Sequence, residues 1–250
     1  MTRRPEEVAR QERERLGASP KGPLTDLLAP IELVAEVPVV VAQLGGEGLS
    51  GVYAVRRGVP FILVNGSDSP VRARFTLAHE YGHHCLQHGQ ALDSGLRFSL
   101  VGDPREVDAN RFAAELLLPR AGIDWWFERH GDPRPDLEVL VRVAHEFGVS
   151  AQVARYRLEG AGRLSRQAAN DLDRKIARGD HRDLAALMAL PRGCDGIVEA
   201  RRSSLRLPAR TQAILVQAVR AGLLSPGEAA GRLGTSAEVL TALTARAVDE

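Results

Sequence analysis

The sequence predicts an α+β fold, with a small antiparallel sheet packed on a helix and a mostly helical C-terminal region after it. Three observations lead there. Valine-rich runs broken by turn signals fill residues 33–64. A proline-started helical stretch rich in histidine follows at 69–87. From residue 103 onward the pattern is helical and is cut by proline and glycine.

Residues 5–16 read as a short charged helix. Residues 33–42 are rich in valine, and Val37-Pro38 suits an edge strand, since proline cannot donate to a ladder. A glycine-rich loop covers 45–51. Residues 52–55 and 59–64, joined by Arg56-Arg57-Gly58, read as a hairpin. Asn65-Gly66-Ser67-Asp68 ends the second strand. Ser69 then stands as N-cap, with Pro70 at the first helical position. This helix runs to about Gln87, and Gly89 stops it.

Asp103-Pro104 opens a second helix, which carries Glu106 to Leu118 and stops at Pro119. Residues 125–136 read as a loop. Residues 137–147, the corner Gly148-Val149-Ser150 and residues 151–158 have a helix-turn-helix cadence. The stretch 160–205 is basic: residues 161–210 hold 11 Lys+Arg against 6 Asp+Glu, a net +5. Three helices follow from Pro208. Ser225-Pro226-Gly227-Glu228 is a capping box for the middle one, and Gly234 breaks before the last. Leu215, Ala218, Val219, Leu223, Leu224, Leu233, Val239, Leu240 and Leu243 are spaced for a small core of their own. The expected division is therefore residues 1–160 and 161–250.

Of the 250 residues, 44% are hydrophobic and 26% charged, which excludes wholesale disorder. Net charge is +1, so no global field draws the chain to nucleic acid or to an anionic membrane. Two cysteines, Cys85 and Cys194, do not make a disulfide framework. The charged N-terminus lacks the apolar stretch of a signal peptide, and the apolar run 37–44 is too short to span a bilayer. A cytoplasmic address without membrane attachment is expected.

Four of the seven histidines, His79, His83, His84 and His88, lie within ten residues. A helical step of four residues turns about 40° past one revolution, so His79 and His83 point the same way and can clamp one ion. Glu80, beside His79, reaches a water at such an ion without ligating it. Zinc takes imidazole nitrogens in tetrahedral geometry, and catalytic sites keep one position open. His79-Glu80-Tyr81-Gly82-His83 is the His-Glu-x-x-His arrangement of zinc peptidases. Gly82 lets another backbone come close. His84 lies about 100° round from His83, and His88 falls on the far face if the helix continues. Downstream, Glu106 and Asn110 share a helix face. Glu106 suits a third ligand, and Asn110 suits an acceptor for a ligand histidine's other N–H. The competing reading makes Glu106 the partner of Asp103 in a capping box. Asp108 is the runner-up ligand.

The run Arg74-Phe75-Thr76-Leu77-Ala78-His79-Glu80-Tyr81-Gly82-His83, followed by Glu106-x-Asp108-Ala109-Asn110-x-Phe112-Ala113-Ala114-Glu115-Leu116-Leu117-Leu118-Pro119, resembles the ImmA/IrrE family of metallo-endopeptidases over roughly residues 30–160. The resemblance implies a zincin-like peptidase core with His79, His83 and Glu106 as ligands and Glu80 as general base. It also implies a protein substrate, typically a transcriptional repressor. Many relatives carry glutamate where this chain has Asp108. The expected ion is Zn2+, with Mn2+ as the second choice.

Tyr53, His84 and His88 are candidates for a second oxyanion donor. Residues 59–64 are a candidate strand for pairing with an extended substrate. Cys85 reads as a buried or half-buried helix cysteine. Two other functions compete. One is a DNA-binding regulator using Arg155 and Arg157 of the helix-turn-helix segment. The other is a metal-binding regulatory protein that does not cleave. The basic stretch suits an acidic partner.

Overall fold

The computed structural model describes residues 4–45, 48–88, 103–188, 197, 200–201, 205–233, 236–238 and 241. Helix α1 (Pro5–Arg15) starts on a proline, with Glu6 and Glu7 in its first turn and Arg13 and Arg15 in its last, which suits the helix dipole. Arg13 is buried. Its guanidinium donates to the carbonyls of Ser19, Gly22 and Leu116, which ties the end of α1 to the protein body. A short helix α2 (Leu28–Leu33) precedes the sheet, so the valine-rich strand begins later than its composition suggests.

The strands are β1 (Val39–Ala42), β2 (Gly51–Arg56), β3 (Val59–Asn65) and β4 (Leu205–Arg206). Among the described residues they form one sheet of order β2-β3-β1-β4. The hairpin is as expected, with Tyr53 opposite Ile62 and left-handed backbone at Arg57 and Gly58.

The sheet is mixed, however, and not antiparallel as the sequence suggested. β1 pairs parallel with β3, Val39 opposite Ile62. The cause is that the chain crosses from one side of β3 to the other between β1 and β2, and β3 then re-enters between them. Asn65, buried at the end of β3, fixes this crossing. Its Nδ2 donates to the carbonyls of Leu49 (2.9 Å) and Gly45 (3.3 Å), and its Oδ1 accepts from Leu44 N–H at 3.2 Å. β1 is also not an edge, because β4 covers it antiparallel. β3 pairs with β2 along residues 59–64 and with β1 along 62–65, so residues 62–64 are covered on both sides and do not offer the docking edge expected of 59–64. Among the described residues, the edge strand beside α3 is β2.

Helix α3 (Pro70–Cys85) packs against β2 and β3, and helix α4 (Pro104–Leu117) lies beside α3 and against α1. Ser69 takes the N-cap position of α3 with no side-chain bond to the helix, whereas Asp103 caps α4 by accepting from Arg105 N–H. The expected stop at Gly89 lies outside the described residues, and α3 ends earlier. The expected loop 125–136 starts too early: its first five residues close helix α5 (Arg120–Arg129), and the turn and loop run from 130 to 136. Ile123, Trp126 and Phe127 recur at helical spacing, and all three are buried in the core. Their burial outweighs the weak helix propensity of the aromatics. Helix α6 (Leu137–Phe147), left-handed Gly148 and helix α7 (Ala151–Gly160), capped by Ser150, form the expected corner.

Helix α8 (Arg166–Arg178) and helix α9 (Asp180–Leu187) follow within the basic stretch. The main apolar core runs on through Leu164, Ala169, Leu172, Ile197 and Ala200. Residues on both sides of position 160 thus contribute to one apolar cluster. Helix α10 (Ala209–Arg220) and helix α11 (Pro226–Leu233) make a separate small cluster of Ala229 and Ala230 with Val216, Val219 and Leu233. The Ser225–Glu228 capping box forms with both reciprocal bonds, at 2.9 and 3.2 Å. Leu223 does not join this core and is 78% exposed. Gly234, Val239, Leu240 and Leu243 lie outside the described residues. So does Cys194, while Cys85 is a free, part-buried thiol.

Candidate metal centre

The site is made where α3 and α4 come closest. Gly82 sits at that contact: a Cβ there would lie 2.9 Å from the Phe112 ring and 3.4 Å from the Ala109 Cα. Only a residue without a side chain fits. Ala109, Phe112 and Ala113 of α4 are buried beside Leu77, Ala78 and Tyr81 of α3. This close approach brings Glu106 and Asn110 across to the two histidines.

The Nε2 atoms of His79 and His83 are 3.1 Å apart. Glu106 Oε2 lies 3.1 Å from His79 Nε2, and its Oε1 lies 3.4 Å from His83 Nε2. These three residues form a group whose ligand atoms all fall within 4.8 Å of one another. Bonds of about 2.0–2.1 Å to a tetrahedral zinc put neighbouring ligand atoms about 3.3 Å apart. The donor spacing and the two-histidine, one-carboxylate chemistry both fit that ion. All three side chains are part-exposed, so the open position is reachable.

Asn110 Oδ1 is 3.0 Å from His79 Nδ1 and can accept its proton. Asp103 caps its helix through Arg105, and the Glu106 carboxylate faces the histidines. Asp108 is not in the donor group and acts instead as a charge near His88. The sequence places His88 on the far face only if the helix continues. The helix stops first, and His88 Nδ1 comes to 3.0 Å from His83 Nδ1. Nothing in the histidine spacing showed this.

Glu80 is buried between α3 and the edge strand. Burial pushes its carboxyl up to about 7, against the opposing pull of His79 and of the Tyr53 backbone N–H, which donates to it. Gly51 of β2 permits the close fit: a Cβ there would lie 2.4 Å from the Thr76 methyl and 3.1 Å from Glu80 Cγ. Burial, then the neighbouring His79, holds His83 down at about 4, so its ring is neutral as a metal ligand requires.

Of the oxyanion candidates, Tyr53 and His84 bond to each other, Oη to Nδ1 at 3.1 Å. They line a cavity of about 370 Å³ with Glu12, Arg15, Cys85 and Gln87. The helix-turn-helix arginines turn inward. Arg155 pairs with Glu159 (2.5 Å) and Asp173 (2.9 Å), and Arg157 pairs with buried Glu115. In the basic stretch Arg163, Arg174, Lys175, Arg178 and Arg206 each face an acidic side chain.

Residues 34–159 match the Peptidase_M78 family, described as the IrrE N-terminal-like domain. The chain is 37% identical over 101 residues to the radiation response metalloprotease IrrE of Deinococcus radiodurans, a match covering 39% of this chain and 30% of that one. It is 39% identical over 101 residues to the protein of the same description from Deinococcus deserti, covering 39% and 35%. The match thus spans about a third of the length of these curated relatives.

Proposed function

Since the chain belongs to the Peptidase_M78 family of IrrE N-terminal-like domains, we propose that it is a zinc-dependent endopeptidase acting on a regulatory protein, with a transcriptional repressor as substrate. His79, His83 and Glu106 hold the ion, Asn110 orients His79, and Glu80 is the general base. The observation that carries this reading is the trio of donor atoms at tetrahedral spacing with a buried carboxylate next to it. Zinc bound there would polarise the scissile carbonyl and acidify a water.

The chain's own residues do the rest. Glu80 takes the water's proton and returns it to the leaving amine. Burial keeps its proton affinity in the range where both transfers are feasible near neutral pH. The outer edge of β2, which has no partner strand among the described residues and already donates through Tyr53 to Glu80, offers its backbone to an extended substrate.

Purified protein should carry about one zinc per chain, and replacing His79 and His83 together with alanine should remove it. Mn2+ in place of zinc would change the ion and leave the ligands as assigned. Glu80→Gln should keep metal and fold yet lose cleavage of the cognate protein. Cleavage by that variant at the normal rate would remove Glu80 as base.

The non-cleaving alternative gives no reason for a carboxylate at Glu80, since a structural zinc site closes all four positions with protein ligands. The DNA-binding alternative loses its two arginines to internal ion pairs. Among the described residues no helix is long and apolar enough to cross a membrane. We place the reaction in the cytoplasm.

A further inference from the structure

Helix α3 stops in a specific way. Gln87 adopts left-handed backbone with φ 55°, its N–H bonds to His84 O at 3.1 Å, and the N–H of His88 bonds to His83 O at 3.1 Å. These two bonds make a Schellman stop, with Gln87 where glycine usually stands. Such a stop sets the second residue beyond the cap against the third residue from the helix end, and two apolar side chains commonly meet there. Here the two are His88 and His83. Their Nδ1 atoms are 3.0 Å apart and their rings meet edge to face at 5.0 Å. The His88 carbonyl accepts from Arg105 at 3.4 Å, and Arg105 is held on Asp103 at 2.8 Å. The stop is thereby tied to the helix that carries Glu106.

We propose that His88 is the positioning residue for His83, built into the helix stop as the counterpart of Asn110 at His79. This rests on the metal reading above. An imidazole that ligates through Nε2 keeps its proton on Nδ1, and that proton needs an acceptor. Asn110 Oδ1 is the acceptor for His79. His88 Nδ1 is the acceptor for His83, with the proton of His88 on its own Nε2. One ligand ring is thus oriented from α4 and the other from the end of α3. Left-handed backbone is uncommon for a residue with a side chain, and it is what brings His88 back to the site.

The test uses the full chain, Zn2+ competed against a chromophoric chelator at fixed pH, and the visible spectrum of the Co2+ form. His88→Ala should weaken zinc by about 10- to 100-fold and alter the cobalt bands, with far-ultraviolet circular dichroism unchanged. His88→Gln, whose carbonyl oxygen accepts the same bond, should recover most of the affinity. Gln87→Gly should bind as wild type does, because glycine adopts the turn freely. If alanine disturbs the helix end, His88→Phe keeps the ring and lacks the acceptor, and should show the same loss. Wild-type affinity in the alanine or phenylalanine variant overturns the proposal, as does an equal loss in the glutamine variant. A wild-type chain that binds no zinc overturns the metal reading itself, and this is distinguishable because the His79 and His83 variants would then not differ from it.

Discussion

Glu106 and Asp108 stand two residues apart on one helix and face different partners, the first the histidine pair and the second the neighbourhood of His88. Glu106→Ala should therefore weaken zinc far more than Asp108→Ala, and Asn110→Ala should fall between them at roughly 10-fold. A chelator titration of the three variants ranks them, and the reverse order of the two acids would move the third ligand to Asp108. Much of this pairing was legible beforehand. His79 and His83 follow from the four-residue step, and Glu106 with Asn110 from their shared face. His88 was not legible, because its place depends on how the chain turns just past the helix end. A left-handed glutamine leaves no mark in composition, whereas a glycine there would have announced the turn.

At the scale of elements, two glycines set how close the pieces come. Gly82→Ala would push a methyl into the Phe112 ring, where neither helix has room to give. The cost should be on the order of 1–3 kcal/mol, less a fraction returned by alanine's better helix propensity. Urea unfolding reads the net loss, and an unchanged midpoint would mean that α3 and α4 are not in such tight contact. Gly51→Ala crowds Thr76 and Glu80 from the strand side. It should lower peptide cleavage more than it lowers stability, because Glu80, the proposed base, is one of the displaced groups. Equal losses in the two measurements would argue against that. Element identity was readable where local rules decide it, as at the hairpin, the Asp103 cap, the corner at 148–150 and the Ser225 capping box. Helix α5 was missed because Pro and Gly just beyond it suggested a loop, while its apolar positions 123, 126 and 127 report burial that depends on the rest of the fold. Sheet direction was missed for a related reason: the turn at Arg57 and Gly58 sets one pairing, but no local signal sets how β1 meets β3.

Across the whole molecule, the core and the sheet both reach well past residue 160. Arg206 binds Glu32 through two nitrogens at 2.6 Å each, and Glu32 is nearly buried. Deleting residues 208–250 removes the small α10–α11 cluster and leaves this pair, β4 and the main core in place. That truncation should fold and hold zinc with near wild-type affinity. Deleting 161–250 strips Leu164, Ala169, Leu172 and β4 and leaves Glu32 without its cation, which alone costs about 3–5 kcal/mol for a buried pair. It should unfold or melt far lower. Circular dichroism and zinc content of the two truncations decide between a boundary near 207 and one at 160. The pairing of β4 with β1 also has a consequence for biosynthesis. Both helices of the candidate metal site are complete once Leu117 has been made, yet the strand that covers β1 arrives with Arg206. At ~5–20 residues per second the intervening stretch takes roughly 5–20 s to translate. For that interval the nascent chain holds an open β edge, the kind of surface that recruits other chains. Ribosome spacing and chaperone capture, more than the stability of the finished protein, would then set how much of it is recovered.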